Sequence, residues 1–188
     1  MLGLAHEVVP AHVREEARRG EAPPVHVERL SRDKATAVAA TRPDALVLGA
    51  DTEVVLDGGV LGKPEDAAHA VDMLLRLRGR SHSVLSGLAL ALPGGGLHSR
   101  LDEARVSFRA FDRAEAEAYV ATGEPLDKAG GYGIQGRGAA LVSDIRGDYY
   151  TVVGLPVAGL VALLEVAGWR YTFSSRLAGT RSARREET

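Results

Sequence analysis

Six residues, Ala45-Leu-Val-Leu-Gly-Ala50, are apolar without interruption and are followed at once by Asp51. A short unbroken run of this kind suits a strand covered on both faces. The chain must then place layers on two sides of a sheet. An acid at the carboxyl end of a buried strand falls where open α/β sheets bind ligands. A carboxylate at Asp51 can hold Mg²⁺, which prefers hard oxygen ligands, or take a proton from water. A plain strand-end Asp that caps the following turn through Thr52 is an equal alternative on this segment alone.

The rest of the chain alternates helix and strand signals, with no internal repeat. Pro24 opens a helix carrying Leu30, Lys34 and Val38, which Thr41-Arg-Pro43-Asp ends. Glu53-Val-Val-Leu56 and Val60-Leu61 flank Asp57-Gly58-Gly59 as a hairpin. Pro64, with Glu65 and Asp66 in the first turn, opens a second helix that Gly79 closes. Strands are expected over 82–92 and 97–111, joined by Pro93-Gly-Gly-Gly96. A capping box of Asp112 and Glu115 should start the next helix, ending at Gly123. A glycine-rich loop spans Lys128 to Gly138, strands follow over 139–145 and 148–153, and Pro156 starts a last helix to Ala167. Residues 174–188 carry almost no apolar side chains and read as a polar disordered tail. The architecture expected is α/β, with a single domain over residues 1–173.

A chain of 188 residues needs no staples, since it can bury roughly 70% of the surface it exposes when unfolded. It has no cysteine, which removes disulfides, thiolate metal sites and thiol nucleophiles together and suits a reducing cytoplasm. Lys and Arg total 23 against 25 Asp and Glu, a net charge of -2. No global field draws it to nucleic acid or anionic lipid. No apolar stretch reaches the ~20 residues of a membrane span, and the first residues lack the pattern of a signal peptide.

Several local motifs invite chemistry. Lys63 precedes a helix start, a plausible anion seat, although a surface loop lysine is the commoner case. Gly131-Tyr-Gly-Ile-Gln-Gly136 spells a dinucleotide fingerprint, but that motif needs a strand before it and a helix after, the reverse of the order here. A milder reading remains, in which five glycines within nine positions, together with Lys128 and Gln135, let backbone approach a ligand. Ser31-Arg-Asp-Lys34 lacks the partner motifs of the Ser-x-x-Lys hydrolases. The six histidines show no metal-binding spacing.

Taken in order, the stretches Asp33-Lys34-Ala35-Thr-Ala-Val38, Leu48-Gly-Ala-Asp51-Thr52, Leu61-Gly-Lys63-Pro64, Gly79-Arg-Ser-His82-Ser-Val84, Asp127-Lys128-Ala-Gly-Gly-Tyr-Gly-Ile-Gln135-Gly136 and Val153-Gly-Leu-Pro156 resemble the Maf family of nucleotide pyrophosphatases. The resemblance covers most of the chain from about Glu15 to Pro156. It implies an elongated, two-lobed α/β fold like that of the inosine triphosphate pyrophosphatases, with a mixed sheet, flanking helices and a cleft for a nucleoside triphosphate and a divalent metal, Mg or Mn. Asp51 would be the proton acceptor or a metal ligand. Glu15 would be a second metal-linked carboxylate, with the register open by one to Glu16. Lys34 and Lys63 would neutralise phosphate charge. Thr52 and Gln135 resemble the specificity positions of the branch acting on dTTP and UTP, with Lys128 beside them.

Family members also begin with a strand and a Ser-x-Ser-Pro-Arg-Arg loop, and the sequence given starts at what usually follows it. Weaker phosphate binding and an exposed sheet edge are the expected consequences. Two alternatives stand beside the pyrophosphatase: a Maf-like nucleotide-binding or regulatory protein without turnover, and an aspartyl-phosphate phosphatase using Asp51. The expected partner is a nucleoside triphosphate rather than nucleic acid or membrane, and a homodimer is left open.

Overall fold

The computed structural model describes residues 2–179. Pro23 and Pro24 occupy the first positions of helix α1, Pro23–Ala39, where their fixed φ and missing N–H cost nothing. Strand β1 runs Val47–Leu56 and turns back into β2, Gly59–Leu61. Asp57 and Gly58 both have positive φ, 52° and 78°, as the tight hairpin requires. Helix α2, Ala67–Leu77, begins one residue past Asp66, whose side chain caps it by accepting from His69 N–H. Strands β3, Ser81–Ala91, and β4, Leu97–Phe108, form a long hairpin.

Helix α3, Arg113–Val120, keeps half of the expected capping box: Asp112 accepts from Glu115 N–H, while the Glu115 carboxylate pairs with Arg109. Three short 3₁₀ turns carry the glycine-rich segment to β5, Val142–Arg146. The strand expected over 148–153 is instead helix α4, Tyr149–Val153. Its aromatic and β-branched residues favour strands, but Asp148 accepts from Tyr150 N–H and Gly154, at φ 105°, ends the turn. Helix α5, Val157–Val166, and a small ribbon of β6, Trp169–Tyr171, with β7, Leu177–Gly179, complete the fold. The polar-tail segment thus contains β7, and its residues 180–188 lie outside those described.

The main sheet has the order β2-β1-β3-β4-β5. An α/β protein with flanking helices is what the sequence led us to expect, but every strand pairing among the described residues is antiparallel rather than mixed. Two expectations for β1 change accordingly. It does not stop at Asp51, which pairs mid-strand with Gly87, so the rule that places ligands at the ends of parallel strands does not apply. Nor is the apolar run covered throughout, since Leu48 is exposed.

Alternation along β1 assigns its side chains to two faces. Asp51 and Glu53 face α1, alongside Val47, which packs with Ala35, Ala89 and Ala91. The other face meets α5 at one end, through Leu88, Leu90, Leu160 and Leu164. At the other end lies the largest core, where α2 and α3 cover Val54, Leu56, Val84 and Val106. Helix α1 sits close to the sheet because two glycines give it room. A Cβ on Gly87 would stand 2.8 Å from the Val27 carbonyl oxygen, and one on Gly49 would stand 2.6 Å from Ala35 N. That closeness sets where Lys34 points.

Candidate active site

Lys34, on α1, reaches the α1-facing side of β1 and places Nζ 2.7 Å from Asp51 Oδ1. It also lies 2.7 Å from Glu15 Oε1. Of the two adjacent acids, Glu15 pairs with Lys34, while the Glu16 carbonyl accepts from Arg29. Burial alone would lower the Lys34 ammonium pKa, but hydrogen bonds to Asp51 and Glu15 outweigh it and raise the value. The Lys34 hydrogen bond in turn holds Glu15 below the ordinary range, with a smaller contribution from Lys63.

The Asp51 side chain is only 9% exposed, and its Oδ2 is buried with no hydrogen-bond partner in the structure. A buried carboxylate oxygen that is left unmatched is costly. It therefore stands to gain from a proton, a water or a cation.

Glu53, two residues along the same face, was not among the sequence candidates. Desolvation, then the Asp51 charge, pushes its carboxyl up to about 7, and its Oε2 is also buried and unpartnered. His26 Nε2 lies 3.9 Å from Glu53 Oε1, and His26 Nδ1 is 3.0 Å from Glu21 Oε2. Arg29 holds Glu21 at 2.6 Å and Asp33 at 3.0 Å. A polar chain thus runs from Asp51 through α1 towards the surface. Glu53 would have been legible had the strand been extended past Asp51, since i and i+2 share a face. His26 and Glu21 carry no such signal, because His26 meets Glu53 only through tertiary packing and Glu21 joins through His26.

The other sequence candidates gather elsewhere. Thr52 points to the opposite face from Asp51, with Oγ1 2.8 Å from Ser86 Oγ, which donates to the Thr151 carbonyl of α4 at 2.7 Å. Gln135 and Lys128 line a cavity of about 220 Å³ with Glu124, Tyr132, Ile134, Val152 and Val153. Lys128 forms an exposed pair with Asp127, with Nζ 2.7 Å from Oδ1. Lys63 is exposed, and its charge adds a small downward pull on the carboxyls of both Glu15 and Asp127. The backbone ties the segments of Lys63 and Lys128 together, for Gly130 N–H donates to the Gly62 carbonyl at 3.0 Å.

Gly133 and Gly136 line the cavity, and glycines of this loop also give room to the protein's own side chains. A Cβ on Gly136 would strike the Glu124 carboxylate, and one on Gly138 would stand 2.5 Å from the Tyr119 hydroxyl. Glu124 is the residue of this region that the sequence did not bring forward. Burial pushes its carboxyl up, but the N–H groups of Gly138 and Arg137 and the Tyr119 hydroxyl prevail and hold it low.

β2 pairs only with Val54–Leu56. Among the described residues no strand pairs with β1 along Val47–Glu53 on that side. Asp51 and Thr52 lie on the two faces that flank this unpaired edge.

The family model described as Maf-like protein matches residues 1–167. A protein named dTTP/UTP pyrophosphatase from Moorella thermoacetica is 51% identical over 171 residues, covering 89% of this chain and 87% of its own. Proteins of the same name from Symbiobacterium thermophilum and Syntrophus aciditrophicus are 50% and 46% identical, covering 89% and 93% of this chain and 86% and 85% of theirs. With the family model spanning most of its length and relatives this similar, the chain belongs to the Maf-like protein family.

Proposed function

We propose that this chain hydrolyses dTTP and UTP to the monophosphate and pyrophosphate. The observation that carries the reading is the Lys34–Asp51 pair, in which one carboxylate oxygen is bound by an ammonium and the other is buried and unpartnered. The activity named for relatives at 46–51% identity supports it.

In the proposed reaction, the oxygen of a water forms a bond to the α-phosphorus. The bond from that phosphorus to the oxygen bridging the α- and β-phosphates breaks, and pyrophosphate leaves. Asp51 Oδ2 accepts the water's proton. Lys34 and Lys63 offset the charge of a substrate bearing about four negative charges, most of the work in phosphoryl chemistry being positioning and charge stabilisation.

A divalent cation, Mg or Mn, fits the donor set. Asp51 and Glu15 supply the hard oxygens it prefers, and the two carboxylates already converge on one cation, the Lys34 ammonium, each at 2.7 Å. Among the described residues no three His, Asp or Glu side chains form a ready cage, in keeping with the habit of Mg²⁺ of using one or two carboxylates with waters and substrate phosphates. When bound, the cation would draw charge from the phosphates.

The base would lie on the other side of the β1 edge, where Gln135 and Lys128 line the apolar-walled cavity and Thr52 faces the same side of the sheet. No helix of the described residues is long and apolar enough to cross a membrane. The cysteine-free composition supports a reducing cytoplasm as its compartment.

Incubating the protein with dTTP, UTP, CTP and ATP plus Mg²⁺ or Mn²⁺, and identifying the products, tests the reading. Monophosphate and pyrophosphate from dTTP and UTP are expected. Orthophosphate as the sole product would favour the aspartyl-phosphate alternative, and binding without turnover the regulatory one.

A further inference from the structure

We propose that Glu124 is a positioning residue for recognition of the base, moulding with Tyr119 the loop that presents Gln135. The inference rests on the pyrimidine triphosphate reading above.

The loop from Gly133 to Gly138 has little regular structure to satisfy its amide groups, and three of them end on two side chains. Glu124 Oε2 accepts from Arg137 N–H at 2.9 Å, and Oε1 accepts from Gly138 N–H at 3.0 Å and from the Tyr119 hydroxyl at 2.8 Å. The Tyr119 oxygen in turn accepts from Gly133 N–H at 3.0 Å. Gly133, Gly136 and Gly138 press against this pair so closely that a Cβ at any of them would meet it at 3.1 Å or less. The carboxylate is therefore a mould around which the loop is wrapped, and hydrogen bonds to a charged acceptor are the stronger kind.

Gln135 stands in the loop between Gly133 and Gly136 with its side chain exposed, lining the cavity with Tyr132, Ile134, Val152 and Val153. Its amide offers one acceptor and two donors. The imide edge of uracil or thymine presents an N–H donor beside a carbonyl acceptor, and cytosine presents the reverse. A free amide can rotate to suit either. Discrimination against cytosine therefore depends on where the amide is held against the base edge, and the backbone on both sides of Gln135 is positioned by Glu124 and Tyr119.

Steady-state kinetics on UTP, dTTP and CTP for the wild type, Glu124→Ala, Glu124→Gln and Tyr119→Phe tests this, with thermal melts to establish folding. For Glu124→Ala we expect KM for UTP and dTTP to rise about tenfold and the UTP/CTP preference to fall about tenfold, with kcat for saturating UTP within about threefold of wild type. Glu124→Gln and Tyr119→Phe, which each keep part of the hydrogen-bond set, should move KM and preference the same way by less. If Glu124→Ala does not fold, these two milder variants decide the question. Unchanged KM and preference in variants that melt like wild type would overturn the inference, as would a loss confined to kcat. A wild type inert towards pyrimidine triphosphates would instead sink the reading on which it rests.

Discussion

Lys34 Nζ bonds one oxygen of Asp51 at 2.7 Å and leaves the other, Oδ2, buried without a partner. The pair holds the carboxylate in place while keeping one reactive edge free. Removing either member has a different physical consequence.

Lys34→Met takes away the cation that binds Asp51 and that, in the proposed reaction, also offsets phosphate charge. Loss of one such charge-stabilising group costs about 100-fold or more in kcat/KM. It also strands a buried carboxylate, so the variant should melt at lower temperature than wild type. Adding Asp51→Asn to Lys34→Met should recover part of the melting temperature and none of the activity. Calorimetry with steady-state kinetics separates the two effects.

Gly49 underlies the docking of α1, with Ala35 N only 2.6 Å from where a Cβ would lie. Gly49→Ala must push the helix off the sheet, and overpacking of this kind costs about 1–3 kcal/mol. Because Lys34 rides on α1, turnover should fall along with stability. A denaturant titration beside an activity assay checks both; a variant that melts and turns over like wild type would contradict the packing described.

Glu53 and His82 give opposite pH dependences. Glu53 is raised from the ordinary 4.5 to about 7 by desolvation and the Asp51 charge. Between those values the unfolded chain has lost a proton that the folded chain keeps, so stability falls as pH rises. His82, buried with its Nε2 2.8 Å from the Tyr132 hydroxyl, is pushed down by burial from 6.5 to about 4. There the unfolded chain binds the extra proton, and stability rises with pH. Over the shared range the two offset one another. In Glu53→Gln the His82 trend should stand alone, and the stability of the variant relative to wild type should grow by about 3 kcal/mol from pH 4.5 to 7, at about 1.4 kcal/mol per pH unit. Chemical denaturation at several pH values measures this; a constant difference would show that Glu53 ionises as an ordinary surface glutamate.

Ser86 joins the two layers behind Thr52, meeting the Thr52 hydroxyl and donating to the Thr151 carbonyl at 2.7 Å. Ser86→Ala leaves buried polar groups unmatched and should cost about 1–3 kcal/mol. If Thr52 faces the base, the loss should also raise KM more than it lowers kcat, which a comparison of UTP saturation curves would reveal.

Much of this was legible in the residues, and the failures have physical causes. The helix carrying Lys34, the Asp57-Gly58 hairpin and the long β3–β4 hairpin follow from turn chemistry and periodicity, which are local. The end of β1 was misplaced because an acid after an apolar run resembles a strand terminus, whereas antiparallel pairing with β3 as far as Val55 and with β2 at Leu56 carries the strand five residues further. Helix α4 was hidden because Tyr149-Tyr-Thr-Val-Val153 favours a strand, and only Asp148 and Gly154 at its ends signal otherwise. In the site, Lys34, Asp51 and Glu15 do meet, at 2.7 Å. Glu53 follows from strand alternation once β1 is carried past Asp51, whereas His26 reaches it only through tertiary packing and Glu124 acts on amides of a loop without periodicity.

The central claim is that the unpartnered oxygen of Asp51 receives the proton of the attacking water. Asp51→Asn keeps the size of the side chain and the contact with Lys34 but removes the base. Single-turnover hydrolysis of UTP should slow at least about 100-fold in this variant while it still binds the nucleotide and melts as a folded protein. A rate within a few-fold of wild type would contradict the account.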